Sequence, residues 1–183
     1  MTHEKPPEPE FSRIVTIESL ADEELSREIE ADADERAALA KRFGLLALDR
    51  LTATVRVKRL RGRSIGVEGS FVADVVQSCV VTLEPVASHI AEDFAVTFAP
   101  AAEIGEGAEL DLSPWAEDLP EPLEGDSIDI GETVAQFLAL ALDPYPRRQG
   151  VAFEASDFPG LTPEEPRTGP FAALATLRKN GQN

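Results

Sequence analysis

The sequence predicts an α+β fold: an antiparallel β-meander of long strands, open or barrel-like, with a buried covering helix and a shorter N-terminal helix. Three observations predict it. Residues 51–57 and 65–75 alternate apolar and polar with a period of two on either side of the turn "RGRS". A third run of the same period follows Glu84-Pro85. "VAQFLALAL" (134–142) is apolar on nearly every side apart from Gln136, the pattern of a covered helix.

The elements follow in order. Residues 1–10 hold three prolines, several charges and no apolar pattern, and are expected to be a disordered tail. "FSRIVTI" (11–17) reads as a first strand. Residues 18–31 are ambiguous: Ser19 and Asp22 fit a capping box and a short helix, whereas "REIEA" (27–31) fits a strand equally well. In "DADERAALAKRFG" (32–44), Asp32 and Glu35 make a capping box, Leu39 and Phe43 share a face, and Gly44 suits the position just past a helix end.

The period then changes to two. Leu51, Ala53, Val55 and Val57 alternate with Thr52, Thr54, Arg56 and Lys58. Ile65, Val67, Phe71, Ala73 and Val75 alternate with Glu68, Ser70, Val72 and Asp74. This odd register can run on through Cys79, Val81 and Leu83. After Glu84-Pro85 the even positions Val86, Ile90, Phe94, Val96 and Phe98 mark the third long strand. Long sequential strands favour an antiparallel meander.

Residues 100–125 are acidic and rich in Ala, Gly and Pro, and are expected to form an excursion from a single domain spanning 11–149. Trp115 within it either pins the excursion to the body or contacts a partner. Asp129 and Glu132 form a further capping box at the start of the covering helix, and Asp143-Pro144 stops it. Residues 150–183 read as a proline-rich extension ending in a short helix, "GPFAALATLRKN", with Phe171, Leu174 and Leu177 on one side.

Composition narrows the function classes. With 43% apolar residues the chain can build a core, yet no stretch approaches the roughly 18–20 apolar residues of a membrane span. The acidic, proline-rich start does not fit a signal peptide. One cysteine cannot form an internal disulfide, and a cytoplasmic protein is the simplest reading. The net charge is −17, and it is unevenly spread. No Lys or Arg occurs between Arg63 and Arg147, a tract that carries seventeen acids. Just before it, Arg50, Arg56, Lys58, Arg59, Arg61 and Arg63 crowd fourteen positions. Such a body repels nucleic acid and anionic membranes at long range. Screening over about 8 Å at physiological salt lets a local cationic ridge act independently.

Catalytic chemistry is poorly served. Only His3 and His89 could act as imidazole bases. His3 falls in the N-terminal tail, and His89 on the polar face of the third strand, so no enzyme is expected. Glu124, Asp126, Asp129 and Glu132 are close in sequence but do not follow a calcium-loop spacing, and two of them serve helix capping. No phosphate-binding glycine motif occurs. Cys79, flanked by Ser and Val with no cation nearby in sequence, reads as a small buried residue and not a reactive thiol. No metal, cofactor or small-molecule substrate is expected. The cationic segment Arg56, Lys58, Arg59, Arg61 and Arg63 is either a solvated hairpin tip or a contact for RNA or protein.

"SCVVTLEPV" (78–86), "IDIGETVAQFLALALDPYPR" (128–147) and "GPFAALATLRK" (169–179), in that order, resemble the bacterial YceD family of large ribosomal RNA subunit accumulation proteins. The resemblance covers roughly 11–179, with 100–125 poorly matched. It implies a cytoplasmic, non-enzymatic factor for making or preserving large-subunit ribosomal RNA. Many members carry C-x-x-C here, with a further Cys or His after the helix, which suggests a zinc clip. Cys79 matches the first cysteine, but Thr82 stands at the second position, and "DPYPRRQGVAF" (143–153) offers no Cys or His. Because structural zinc normally takes four ligands, the resemblance implies that this chain has lost any such site.

Two readings follow. In the first, Arg56, Lys58, Arg59, Arg61 and Arg63, with Arg147 and Arg148, touch large-subunit (23S) ribosomal RNA. In the second, an acidic adaptor holds a basic ribosomal or other protein through Trp115, Phe171, Leu174 and Leu177, without RNA contact.

Overall fold

In a computed structural model, residues 9–20, 24–100, 119–123 and 125–151 are described. Short β1 (Ile14–Thr16) leads through a single 3-10 turn (Ile17–Ser19) to β2 (Leu25–Glu30), α1 (Ala33–Phe43) and β3 (Ala47–Arg59). There follow β4 (Ile65–Ser78), β5 (Pro85–Pro100), β6 (Glu121–Leu123), β7 (Ser127–Asp129) and α2 (Ile130–Ala141). The fold is α+β. Its main sheet has the order β2-β3-β4-β5-β6, antiparallel except for the parallel β5–β6 pair. The sheet is open: β2 and β6 are its outer strands, so no barrel closes.

The meander follows the sequence periods. Ala53, Val55 and Val57 of β3 are buried, as are Ile65, Val67, Phe71, Ala73 and Val75 of β4. Leu48 and Leu51 are both buried although they stand three apart. The register shifts between Leu48 and Arg50, and such a bulge turns both side chains inward. Gly69 lies opposite Phe94, and a Cβ on Gly69 would stand 2.3 Å from the Thr54 carbonyl oxygen and 3.2 Å from the Phe94 ring. The absent side chain leaves room for Phe94, which stacks on Phe137 of α2 with ring centroids 4.9 Å apart.

Several expectations need correction. The strand expected in "FSRIVTI" is present as β1, but it stands outside the meander. β1 pairs with β7 in a separate two-stranded sheet, because β7 runs directly into α2 and brings it alongside. The ambiguous segment before α1 is a strand, β2, paired with β3. α2 is not covered all round. Val134, Ala135 and Leu138 are buried, whereas Leu140 is 79% exposed at the solvent side. The odd register of β4 ends at Ser78, and the chain turns through 79–84, so Leu83 is exposed and not stacked in the sheet.

Capping separates the two helices. At α1 both halves of the capping box are made: the Asp32 carboxylate accepts from the Asp34 and Glu35 N–H groups, and Glu35 accepts from the Asp32 N–H. Gly44 closes the helix in the left-handed region (φ 67°). At α2, Asp129 accepts from the Gly131 and Glu132 N–H groups. Glu132 does not reach back, because its carboxylate is held by Arg42 at 2.8 Å. The Asp129 carboxylate also accepts from the Arg13 N–H at 2.7 Å, which joins the N-terminal segment to the start of α2.

The chain divides into two units, Met1–Arg148 and Gln149–Asn183. All the helices and strands above belong to the first. Of the second, Gln149–Val151 are described. No helix among the described residues is long and apolar enough to cross a membrane.

Candidate functional site

The β3–β4 turn places Arg61 and Arg63 at an exposed tip. Leu60 N–H donates to the Ser64 carbonyl at 2.9 Å, and Gly62 between the two arginines adopts φ 71°, which a side chain would resist. Neither arginine is ion-paired among the described residues.

The other cations of this segment are engaged. Arg56 lies directly across from Glu68 in the β3–β4 register and reaches it at 3.3 Å, with Glu24 at 3.8 Å. Lys58 donates to the same Glu68 carboxylate at 3.1 Å. The hydrogen bond from Lys58, aided by its charge and that of Arg56, holds the Glu68 carboxyl below its ordinary pKa. Arg59 lies across the N-terminal segment. Its Nε donates to the Leu20 carbonyl at 3.0 Å and its Nη2 to the Ile17 carbonyl at 2.6 Å. The sequence cluster therefore resolves into two outward arginines, two cations sharing one carboxylate, and one structural clasp.

Arg147 and Arg148 are at the other end of the hairpin. β4 runs from the arginine tip to the 79–84 turn, and fourteen residues of strand span about 45 Å. Arg148 is bound to that turn: its guanidinium pairs with Glu84, and its backbone N–H donates to Cys79 Sγ at 3.5 Å. Arg147 is exposed. No single surface unites Arg61 and Arg63 with Arg147 and Arg148.

Cys79 is fully buried, as expected, but its surroundings are not inert. Its pKa is pushed down to about 6, first by the Thr82 side chain and then by backbone N–H groups of Arg148, Thr82 and Val81, against the opposing effect of burial. The sequence missed this because Thr82 and Val81 come round to the sulfur only through the turn, and the Arg148 N–H comes from 69 residues away. The residues present do not fit a zinc ion. Cys79 offers one sulfur already surrounded by N–H donors, the second cysteine position is Thr82, and no cluster of three or more His, Cys, Asp or Glu is found among the described residues.

Two features of this end escaped the sequence reading. Val80, Val81, Leu83 and Tyr145 are exposed together around the turn, where Val80 N–H donates to the Pro146 carbonyl at 2.9 Å. Leu83 adopts φ 61°, a costly conformation for a side chain branched at Cγ. The Val80-Val81 pair beyond the end of β4 was the available signal. The second feature is the far edge of β5, which pairs with β6 only at Phe98–Pro100. His89 lies on the open polar face as expected, bonded through Nδ1 to Asp74 at 2.6 Å. Trp115, Phe171, Leu174 and Leu177 lie outside the described residues.

No curated protein and no solved structure matches the chain. A family model does: it matches residues 67–178, from early in β4 through the 79–84 turn, β5 and α2, and leaves the arginine tip just outside. The chain therefore belongs to the family described as large ribosomal RNA subunit accumulation protein YceD.

Proposed function

We propose that this chain supports the accumulation or processing of 23S ribosomal RNA in the cytoplasm by non-catalytic binding, with Arg61 and Arg63 as its RNA contact. Family membership supports the ribosomal process. The observation that carries the contact is the exposure of these two arginines at the margin of a tract, 64–146, that has no Lys or Arg. Arg56 and Lys58 are already engaged by Glu68, and Arg59 by the Ile17 and Leu20 carbonyls, so the contact is assigned to the tip. Two or three phosphate contacts give modest, salt-sensitive affinity, while the acidic body limits binding elsewhere.

The test is charge reversal at both arginines (Arg61→Glu with Arg63→Glu) in a strain lacking the native protein. Mature 23S RNA is expected to stay low although the variant folds. Full restoration of the RNA would remove the tip from the mechanism.

A second reading, an adaptor that holds a basic ribosomal protein, is favoured by one observation: the edge of β5 left unpaired among the described residues carries Glu92 and Asp93 and no Lys or Arg.

A further inference from the structure

β5 is paired with β4 along its length, from Pro85 to Phe98. On its other edge, only Phe98–Pro100 meet β6, so among the described residues no strand pairs with that edge from Pro85 to Thr97. An edge this long offers alternate N–H and C=O groups as a template for another strand. Natural proteins often blunt such an edge with lysine. Here the charges are Glu92 and Asp93, both exposed. Adjacent strand residues point to opposite faces, so each face of the edge carries an acid near its middle.

This arrangement selects an occupant. A second copy of β5 adding antiparallel about this point would set acid against acid, which opposes pairing. A basic strand would meet opposite charge on both faces. Val86, Ile90 and Val96 are only half-buried on the core side, so alternate apolar residues of the incoming strand would gain cover there. The opposite outer strand of the sheet, β2, differs: Arg27 lies among Glu28 and Glu30, so it has no single sign of charge to offer.

We propose that the free edge of β5, residues 86–97, docks a basic extended segment of a protein partner, which adds to the sheet by backbone pairing. The inference rests on the adaptor reading and specifies its binding mode. Backbone hydrogen bonds supply affinity, and Glu92 and Asp93 set the charge that is accepted.

The experiment is hydrogen exchange on the full chain with an extended peptide alternating lysine and valine, and with the same peptide N-methylated at alternate backbone nitrogens. The parent peptide is expected to slow exchange within 86–97. Methylation, which removes pairing but keeps charge, is expected to weaken binding by about tenfold or more, about 1.4 kcal/mol. Glu92→Lys with Asp93→Lys is expected to weaken the parent peptide similarly while circular dichroism stays unchanged. If the methylated peptide binds as well as the parent, or protection falls only outside β5, the edge is not the site and the adaptor reading survives. If neither the peptide nor basic ribosomal proteins bind at about 0.15 M salt, both fail.

Discussion

The backbone N–H of Arg148 donates to the sulfur of Cys79 at 3.5 Å, so the segment after α2 is joined to the turn after β4 through a thiol. Donors aimed at sulfur favour the thiolate. Cys79 is accordingly held at about 6 in the fold, against an ordinary 9.0. A depressed acid contributes stability that is full above its unfolded pKa and lost as pH falls through its folded one. The urea midpoint should therefore rise between about pH 6 and pH 9 and flatten over that window in Cys79→Ala. An identical slope in both proteins would show that the sulfur stays protonated.

The same substitution tests the hydrogen bonds at neutral pH. Cys79→Ala leaves the N–H groups of Thr82 and Arg148 without their acceptor. A loss of about 1 kcal/mol is expected, the net worth of hydrogen bonds to these part-buried donors, read from urea unfolding. A change within about 0.5 kcal/mol, the range of an ordinary surface site, would mean that water takes the place of sulfur.

Arg59 and Arg61 are two residues apart and should behave oppositely. Arg59→Ala removes both donors to Ile17 and Leu20 and should cost about 1–2 kcal/mol. Arg61→Ala should change stability by less than about 0.5 kcal/mol. Equal effects in thermal unfolding would contradict the clasp assigned to Arg59.

Gly131 lies in the first turn of α2, where alanine would ordinarily favour helix by about 1 kcal/mol. Here a Cβ would stand 2.5 Å from the Phe11 carbonyl oxygen, which is backbone and cannot swing aside. Gly131→Ala should destabilise by about 1–3 kcal/mol, as overpacking does. A stabilised variant would show that the Phe11–Arg13 backbone and α2 separate readily.

What the sequence disclosed was what local chemistry decides. The period of Leu51, Ala53, Val55 and Val57 marked β3, and Asp32, Glu35 and Gly44 marked both ends of α1, because alternation and capping act over a few residues. β1 was visible as a strand but not in its pairing, since Ile14 meets Asp129 across the whole domain. The continuation of β4 through Leu83 failed because apolar alternation persists while the backbone turns. At the candidate site, the charge cluster was evident, but its division was not. Glu68 takes Arg56 and Lys58 through strand register, and the Ile17 and Leu20 carbonyls take Arg59 through a tertiary contact. Neither relation has a sequence signature.

Because the Arg13 N–H finds its carboxylate on Asp129, 116 positions later, the N-terminal segment must wait for most of the domain to be translated. At about 5–20 residues per second, that delay is roughly 6–23 s. During that interval the nascent meander can assemble from neighbouring strands while Phe11 and Val15 lack their eventual cover. The β1–β7 joint thus becomes available late on the ribosome, ahead only of the packing of α2 and of the bonds that Pro146 and Arg148 make to the 79–84 turn.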